Sequence, residues 1–152
     1  MSEPYILFQL AGATYAVPSA QVLQVAMIEN ITRLPNAPDF VDGVVHLRGR
    51  IVPVVNLRRR FNLPPKDYDL QSRLIVIEQE GRVVAMAVDT ARDFVTLDSD
   101  ALQPTPDLVG DAPRKYLRGV FAREDGLILV LDLHKVLNPE ERAALAEAAP
   151  KE

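Results

Sequence analysis

The sequence predicts an all-β fold in which two small antiparallel barrels pack against each other. Residues 43–57 match residues 119–133 without a gap, each copy having a strand that starts at glycine, a short polar turn and an aliphatic strand ending in Asn-Leu or Asp-Leu. A repeat of this kind indicates one β-unit built twice. Twelve prolines and seven glycines, mostly between short apolar runs, indicate many turns and little helix.

Short apolar runs rich in β-branched and aromatic residues predict the other strands. They occupy residues 5–10, 14–17, 74–77, 83–88 and 94–97, beside the two strands of each repeated hairpin. Turns at Gly12 and Gly81 join four of these runs into hairpins. Each half of the chain therefore holds about five strands, and closing them into barrels removes exposed sheet edges.

Helical turns and loops are expected between the strands. Ser19 is expected to cap a helical turn within residues 20–27, where Val22 and Val25 supply apolar contacts. A proline followed by two glutamates suits the first turn of a C-terminal helix. The remaining connections are loops at 31–40 and 98–113, a helical turn at 57–61 and this helix from 139 onward.

The stretch 62–67, which contains two prolines, is the clearest interruption in the chain, and we expect the boundary between the two lobes there. Pro53 needs a special position, because proline cannot donate a hydrogen bond within a central strand. We therefore expect Pro53 at a sheet edge or a bulge. Its repeat mate is Leu129, so the two copies must differ at this point.

Composition excludes several classes of protein. The chain has no cysteine, which rules out disulfides and thiolate metal sites, and its net charge of −4 argues against general nucleic-acid binding. No signal peptide is visible, and the apolar runs are far shorter than the roughly 20 residues of a membrane-spanning helix. We expect a cytoplasmic protein that does not insert into the membrane.

Residue patterns of catalytic or metal sites are missing from the sequence. His46 and His134 lie at different points of the two halves, the glycines are scattered singly, and no serine has the flanking residues of a nucleophile elbow. We expect neither an enzyme nor a metal or cofactor site.

Arg48, Arg50 and residues 58–60 form the one basic concentration. It fits either a patch for nucleic acid or an acidic partner, or a solvated turn, which we favour because no aromatic residues interleave the arginines. A small β-barrel nucleic-acid-binding protein is the alternative function. Arg48 stands apart beside Gly49, as a polar turn residue or as a fixed donor for a partner's carboxylate or carbonyl.

Residues 40–58 closely resemble the core motif of the CheW family of bacterial chemotaxis coupling proteins, which typically reads F-x-x-G-V-x-N-L-R-G-x-I-x-P-V-x-D-L-R. The segment Leu47-Arg48-Gly49-Arg50-Ile51-Val52-Pro53 carries the most specific part of the motif. The resemblance extends over residues 5–145. It continues at residues 15–17, 33–38, 83–89, 102–106 and 127–133.

This resemblance implies one CheW-like domain over residues 1–152, built from two SH3-like five-stranded β-barrels that share a hydrophobic core. Subdomain 1 is expected at about 15–65 and subdomain 2 at about 70–137, with the N-terminal strand and the C-terminal helix packed on the pair. Family members are non-catalytic adaptors. They link the cytoplasmic tips of chemoreceptors to the regulatory domain of a CheA-type histidine kinase, in swimming, twitching, gliding and other chemosensory systems.

Site residues also follow from the resemblance. The receptor-facing groove would contain Val22, Gln24, Val25, Gly43, Arg48, Arg73, Ala91 and Phe94. The kinase-facing edge would contain Gln103, Asp107 and Leu108. Two positions depart from the family: Gln24 replaces an acidic residue that can pair with the motif arginine, and Ala91 replaces a bulkier aliphatic. His46 replaces the usual asparagine, which we regard as neutral.

Overall fold

The computed structural model describes residues 1–107 and 109–136. The strands within these residues are β1 (Ser2–Leu10), β2 (Ala13–Pro18), β3 (Val22–Met27), β4 (Val41–Leu47), β5 (Arg50–Asn56), β6 (Arg73–Gln79), β7 (Arg82–Val88), β8 (Thr90–Asp98), β9 (Leu117–Arg123) and β10 (Gly126–Leu131). The short helices are α1 (Leu57–Arg60), α2 (Asp111–Arg114) and α3 (Leu133–Val136). Two 3₁₀ turns occupy Ser19–Gln21 and Ser99–Ala101.

These strands form two five-stranded sheets. The first sheet has the order β8-β1-β2-β10-β9 and the second has the order β3-β6-β7-β5-β4. Neighbouring strands are antiparallel except for two parallel pairs, β2 with β10 and β5 with β7. The predicted all-β fold of two five-stranded units is confirmed. The expected C-terminal helix lies outside the described residues.

All four predicted hairpins are present, as β1–β2, β4–β5, β6–β7 and β9–β10. The helical turn expected within residues 20–27 is wrong. Only Ser19–Gln21 turn, as a 3₁₀ segment without a side-chain cap, and β3 begins at Val22. Its apolar residues favour an extended strand because they pair with β6.

A second repeat, at a different spacing, accompanies the hairpin repeat. Strands β1, β2 and β3 recur as β6, β7 and β8 at a shift of 69 residues, with Gly12/Gly81 and Ala16/Ala85 identical. The two hairpin turns match in conformation: the φ angles are 50° and 83° at Ala11 and Gly12, and 53° and 77° at Glu80 and Gly81. Each half of the chain is therefore one complete five-strand repeat.

The two halves exchange their first hairpins. The β1–β2 hairpin completes the sheet of β8, β9 and β10, whereas β6–β7 completes the sheet of β3, β4 and β5. The lobe boundary expected at residues 62–67 is therefore wrong, since this loop connects α1 to β6 within the second sheet. Prolines mark a change of direction, but they carry no information about which strands pair across it.

A hydrophobic core is shared by the two sheets. Its buried side chains are Phe8, Leu10, Tyr15, Val17, Val41, Val55, Leu57, Phe61, Ile75, Ile77, Val84, Met86, Val88, Leu117, Leu131, Leu133 and Val136. Two smaller clusters of buried residues each belong to one sheet alone. An aromatic contact links the two sheets at this core. Tyr15 lies on the first sheet, Phe61 follows helix α1 at the end of β5 in the second, and their ring centroids are 5.7 Å apart.

Arg60 fastens the two repeats together at this interface. Its guanidinium lies 4.2 Å from the ring centroid of Phe40 and 5.0 Å from that of Tyr116. Its Nε donates a 2.7 Å hydrogen bond to the carbonyl oxygen of Val136. Phe40 and Tyr116 are equivalent in the hairpin repeat, as are Arg60 and Val136, so the clamp joins matching positions of the two halves.

Pro53 lies in β5, an internal strand of the second sheet, and not at the expected sheet edge or bulge. It faces Val44 of β4, whose backbone N–H and C=O both bond to Thr32 on the other side, at 2.8 Å each. On the opposite flank of β5, the parallel pairing with β7 begins only at Val54. No backbone partner is therefore deprived of a donor at Pro53.

Gly43 and Gly119 allow a loop backbone to lie directly on a strand in each repeat. A Cβ atom on Gly43 would overlap the carbonyl oxygen of Thr32, and one on Gly119 would lie 2.5 Å from the carbonyl oxygen of Gln103. The two loops make matching backbone bridges, from Thr32 to Val44 and from Gln103 to Val120. Glycine is required because any side chain would displace these loops.

An ion pair ties the exchanged hairpin to the second sheet. Arg58 donates to both carboxylate oxygens of Asp89, at 2.8 and 2.6 Å, and the backbone N–H of Ala11 donates to the same carboxylate at 2.9 Å. Burial alone would raise the pKa of Asp89, but the hydrogen bonds from Arg58 and Ala11 and the charge of Arg58 outweigh it. The pKa of Asp89 is therefore lowered.

Replacing Gly43 should destabilise the fold strongly. We expect Gly43→Ala to lower the free energy of unfolding by about 3 kcal/mol, because its φ of 144° is unfavourable for alanine and the new Cβ overlaps Thr32. The control is Gly49→Ala, where φ is also positive but the space is open, with an expected loss of about 1 kcal/mol. Urea unfolding measures both, and equal losses would contradict the close approach.

Removing the Asp89 carboxylate should destabilise the protein in a pH-dependent way. We expect Asp89→Asn to cost about 2 kcal/mol at pH 7, because it leaves the largely buried Arg58 without its counter-ion. Because the pKa of Asp89 is lower in the folded chain than in the unfolded one, its ionised carboxylate stabilises the fold above the unfolded pKa of about 3.9. This stabilisation is lost as the pH falls through the pKa of Asp89 in the folded chain.

Urea titrations of Asp89→Asn at pH 7 and pH 3 measure this effect, and the difference from the parent should narrow at pH 3. Asp107→Asn is the matched control, because the pair of Asp107 with Arg114 is exposed and should contribute less than about 0.5 kcal/mol. An unchanged difference at the two pH values would show that the ion pair does not cause the stabilisation.

Candidate functional site

Edge strands β3 and β8 place several predicted receptor-facing residues at equivalent positions. Val22 pairs with Ile77 of β6, and Ala91 pairs with Phe8 of β1. In the repeat, Ala91 is the counterpart of Val22 and Phe8 is the counterpart of Ile77. By the same register Val25 corresponds to Phe94. Each strand also has a bulge, directly after Val22 in β3 and directly after Ala91 in β8. The exchange of hairpins thus relates β3 and β8 by an approximate two-fold axis.

The two strands both start at the shared core. Val22 and Ala91 both pack on that core, and β6, the partner of β3, also contacts β8. Further along, Val25 and Phe94 are 39% and 66% exposed. We call Val22, Val25, Ala91 and Phe94 the dyad surface. It is apolar, lies at the edges of both sheets, and has a buried base and exposed outer positions.

Sequence reasoning missed two apolar residues that extend the dyad surface. Leu23 and Met27 are 50% and 51% exposed and flank Val25 on the outer side of β3. Gln24 and Ala26 alternate with them and are half-buried. Exposed and half-buried residues alternate along β3 with the period of two that is typical of a strand. The pattern is present in the sequence, but it was not used because a helical turn was expected there.

Arg73 and Gly43 are not part of this apolar surface. Arg73 pairs with Met27 in the ladder, and its guanidinium donates to the carbonyl oxygens of Leu70 and Ser72 at 2.7 and 2.8 Å. Gly43 is buried on β4, at the opposite edge of the second sheet from β3. An effect of Gly43 on binding would therefore act through the Thr32 loop that covers it.

Arg48 occupies a strained position at the tip of the β4–β5 hairpin. Arg48 and Gly49 have φ angles of 49° and 75°, the pattern of a two-residue type I′ turn between Leu47 and Arg50. The side chain of Arg48 is exposed and makes no hydrogen bond or ion pair within the described part of the chain. An arginine with positive φ and no internal contact is a reason to suspect binding.

Of the residues predicted to face a kinase, Gln103 lies at the outer edge of the first sheet. Gln103 bridges to Val120 of β9 through backbone hydrogen bonds of 2.8 and 2.9 Å, and its side chain is exposed. Asp107 is exposed and accepts a hydrogen bond of 3.0 Å from Arg114. Leu108 lies outside the described residues.

The basic concentration at residues 58–60 is not a continuous patch. Arg58 is paired with Asp89, and Arg60 lies between two aromatic rings, so Arg59 alone of these three is exposed. This arrangement removes two of the five arginines on which a nucleic-acid site would depend.

An open polar cleft of about 510 Å³ lies at one end of the second sheet, lined by the 31–42 segment and residues 66–68. The Tyr68 hydroxyl and the Asn56 amide both donate to the Asp42 carboxylate, the latter at 3.2 Å. Burial, and then this bond to Asp42, raise the pKa of Tyr68. Neither histidine lines the cleft. The hydrogen bond from Tyr68 to Asp42 holds the loop that contains Tyr68 onto β4.

Two further features, a metal-binding cluster and a membrane-spanning helix, are both absent from residues 1–107 and 109–136. No group of three or more histidine, aspartate or glutamate side chains is arranged to hold a metal ion there. No helix in this part of the chain is long and apolar enough to cross a membrane.

Comparison with known families decides the identity of the fold. The family model of the CheW-like domain matches residues 4–141. The chain belongs to the CheW-like domain family. The chemotaxis protein CheW of Klebsiella aerogenes is 30% identical over 98% of this chain and 90% of its own length. That of Rhizobium meliloti is 32% identical over 91% of this chain and 90% of its own.

Solved and more distant relatives agree with this assignment. The crystal structure of the scaffolding protein TtCheW from Thermoanaerobacter tengcongensis matches with a TM-score of 0.82 at 27% identity, covering 93% of this chain and 91% of that one. Protein FrzA of Myxococcus xanthus is 28% identical over 95% of this chain and 91% of its own length. The predicted family is confirmed.

Relieving the strain at Arg48 should stabilise the fold. We expect Arg48→Asn to raise the free energy of unfolding by about 0.5 kcal/mol, because Asn-Gly is the preferred pair of a type I′ turn. Thermal or urea unfolding measures the change. Arg50→Asn, next to the turn but within β5, is the control and should give no gain. A loss of stability in Arg48→Asn would show that Arg48 makes a stabilising contact.

Proposed function

We propose that this chain is a non-catalytic adaptor that couples chemoreceptors to a CheA-type histidine kinase in a bacterial chemosensory array. The observation that carries the proposal is an exposed apolar surface on two edge strands, in a chain that belongs to the CheW-like domain family. Relatives are named as chemotaxis proteins, and one solved relative is described as a scaffolding protein. Such a role needs stable surfaces rather than catalytic groups.

The dyad surface is our candidate for the receptor side. Leu23, Val25 and Met27 form an exposed apolar row on β3, and Phe94 adds an exposed ring on β8. An amphipathic helix can bury apolar side chains against such a row, which is a common mode of recognition. Arg48, held rigidly by its turn, then serves as a donor to a carboxylate or carbonyl of the receptor.

The kinase side is assigned to Gln103, Asp107 and Leu108, of which Gln103 lies at the edge of the first sheet. Strand β9 is the terminal strand of that sheet, so its outer edge carries backbone groups beyond the single bridge to Gln103. A kinase regulatory domain with an unpaired strand edge of its own would meet this edge by strand-to-strand pairing. The adaptor would then act in the cytoplasm, recruited to membrane receptors without inserting itself into the membrane.

Co-elution in size-exclusion chromatography tests the proposal. The chain is mixed with the regulatory domain of a CheA-type kinase from the same cell, with a receptor-tip fragment, and with both. Stable co-elution with either partner supports the adaptor role. Failure with both overturns it, provided that the partners bind their own established adaptor in the same buffer.

A charge in the dyad surface should block receptor binding without unfolding the chain. We expect Val25→Glu to weaken binding of a receptor-tip fragment at least tenfold, or about 1.4 kcal/mol, because the buried carboxylate would lack a partner. Leu127→Glu is the matched control: Leu127 is 44% exposed, against 39% for Val25, but lies on β10. Fluorescence anisotropy measures both affinities, and equal weakening would exclude β3 as the receptor site.

A further inference from the structure

The dyad surface offers a helix apolar side chains at equivalent positions of β3 and β8, whichever way the helix lies on it. Val22 is equivalent to Ala91, and Val25 to Phe94, through the registers of β3 with β6 and of β8 with β1. Rotation about the approximate two-fold axis exchanges the two strands. A purely apolar helix would therefore bind in two opposite orientations with similar affinity, which is unsuitable for an adaptor that must fix its partner's direction.

The equivalence fails most strongly at the bulges. Both strands have a register shift at the same point, and the extra residue is Leu23 in β3 and Arg92 in β8. Leu23 is 50% exposed, and Arg92 is also exposed. The two extra residues are equivalent in the repeat, so they lie on opposite sides of the approximate two-fold axis, and we call these sides the two borders of the surface.

Arg92 is available to a partner. It makes no hydrogen bond or ion pair with any described residue, including the adjacent Asp93. A cleft of about 220 Å³ opens beside it at the bulge between β8 and β1, and Gln9, Gln71, Thr90 and Asp93 contribute polar walls. The equivalent bulge in β3 carries a leucine, followed by Gln24 in place of Asp93. One border of the surface is thus apolar, and the other carries a guanidinium beside a polar cleft.

We propose that Leu23 and Arg92 together set the direction in which a partner helix lies on the dyad surface. The helix places an apolar end against Leu23 and a carboxylate side chain against Arg92. This inference rests on the proposed function, since it concerns the same surface, but it assigns a specificity role to two residues outside the predicted receptor-facing set. Reversing the helix would bring its carboxylate against Leu23 and leave Arg92 without a partner, so both ends favour one direction.

An exchange of the two residues tests the proposal. The chain has no cysteine, so a receptor-tip fragment carrying one nitroxide at its acidic end is the sole source of paramagnetic broadening. In the parent chain we expect the amides of β8 near Phe94 to broaden at least five times more than those of β3 near Val25. In Leu23→Arg/Arg92→Leu the pattern should reverse. Both positions are exposed, so the exchange should leave the amide spectrum otherwise folded.

A single variant isolates the contribution of Arg92 and keeps the test valid if the double variant does not fold. Arg92→Gln removes the charge and should bring the broadening ratio close to one, while the affinity falls by less than fivefold. Asp93→Asn is the neighbouring control and should keep the direction of the parent.

Three results would overturn either the proposed function or the inference about direction, and each result identifies which of the two fails. If the fragment does not bind the parent chain, the proposed function fails. If it binds and the exchange leaves the broadening pattern unchanged, the direction is set elsewhere and this inference fails. Equal broadening of β3 and β8 in the parent chain would also contradict it, because the surface would then not select a direction.

Discussion

Exchange of the first hairpins between the two halves is the constraint on which the structure depends. Each half supplies three strands to one sheet and two to the other, so neither half has a complete sheet of its own. Strands of the two halves pair at four places, which are β1–β8, β2–β10, β3–β6 and β5–β7. Separating the halves would therefore break four strand pairings and expose eight strand edges together with the shared core.

The exchange also explains why the candidate binding surface lies where it does. Strand β3 leaves the 3₁₀ turn after the exchanged hairpin β1–β2, and β8 leaves the corresponding junction after β6–β7. Both connections must cross between the sheets, which brings the starts of β3 and β8 to the shared core. A partner at this place contacts both sheets at once. Its binding is therefore sensitive to how the two sheets are held, and the Arg60 clamp and the Arg58–Asp89 pair contribute to that.

Local features of the fold were predictable, whereas its pairing was not. Gly12, Gly49 and Gly81 indicated tight turns, and the four hairpins around the predicted turns are present because turn and strand signals are local. The exchange depends on contacts between residues more than a hundred positions apart, such as Ala16 with Val130, and no short-range pattern encodes them.

The candidate site shows the same division. Val25 and Phe94 were named by family resemblance and are exposed on edge strands, while Leu23 and Met27 were missed because β3 was expected to be helical. Gly43 illustrates a different difficulty: a glycine in a motif can be required for a close backbone approach rather than for contact with a partner. Only coordinates distinguish these two reasons.

The order of the strands has a consequence for synthesis on the ribosome. All strands of the second sheet lie within residues 22–88, so this sheet can assemble while the rest of the chain is still being made. The hairpin β1–β2 emerges well before its partners β8 and β10, and until they follow its strand edges stay unpaired in the nascent chain. This hairpin therefore leaves the exit tunnel before the second sheet does, yet it completes its own pairing after that sheet can already have formed.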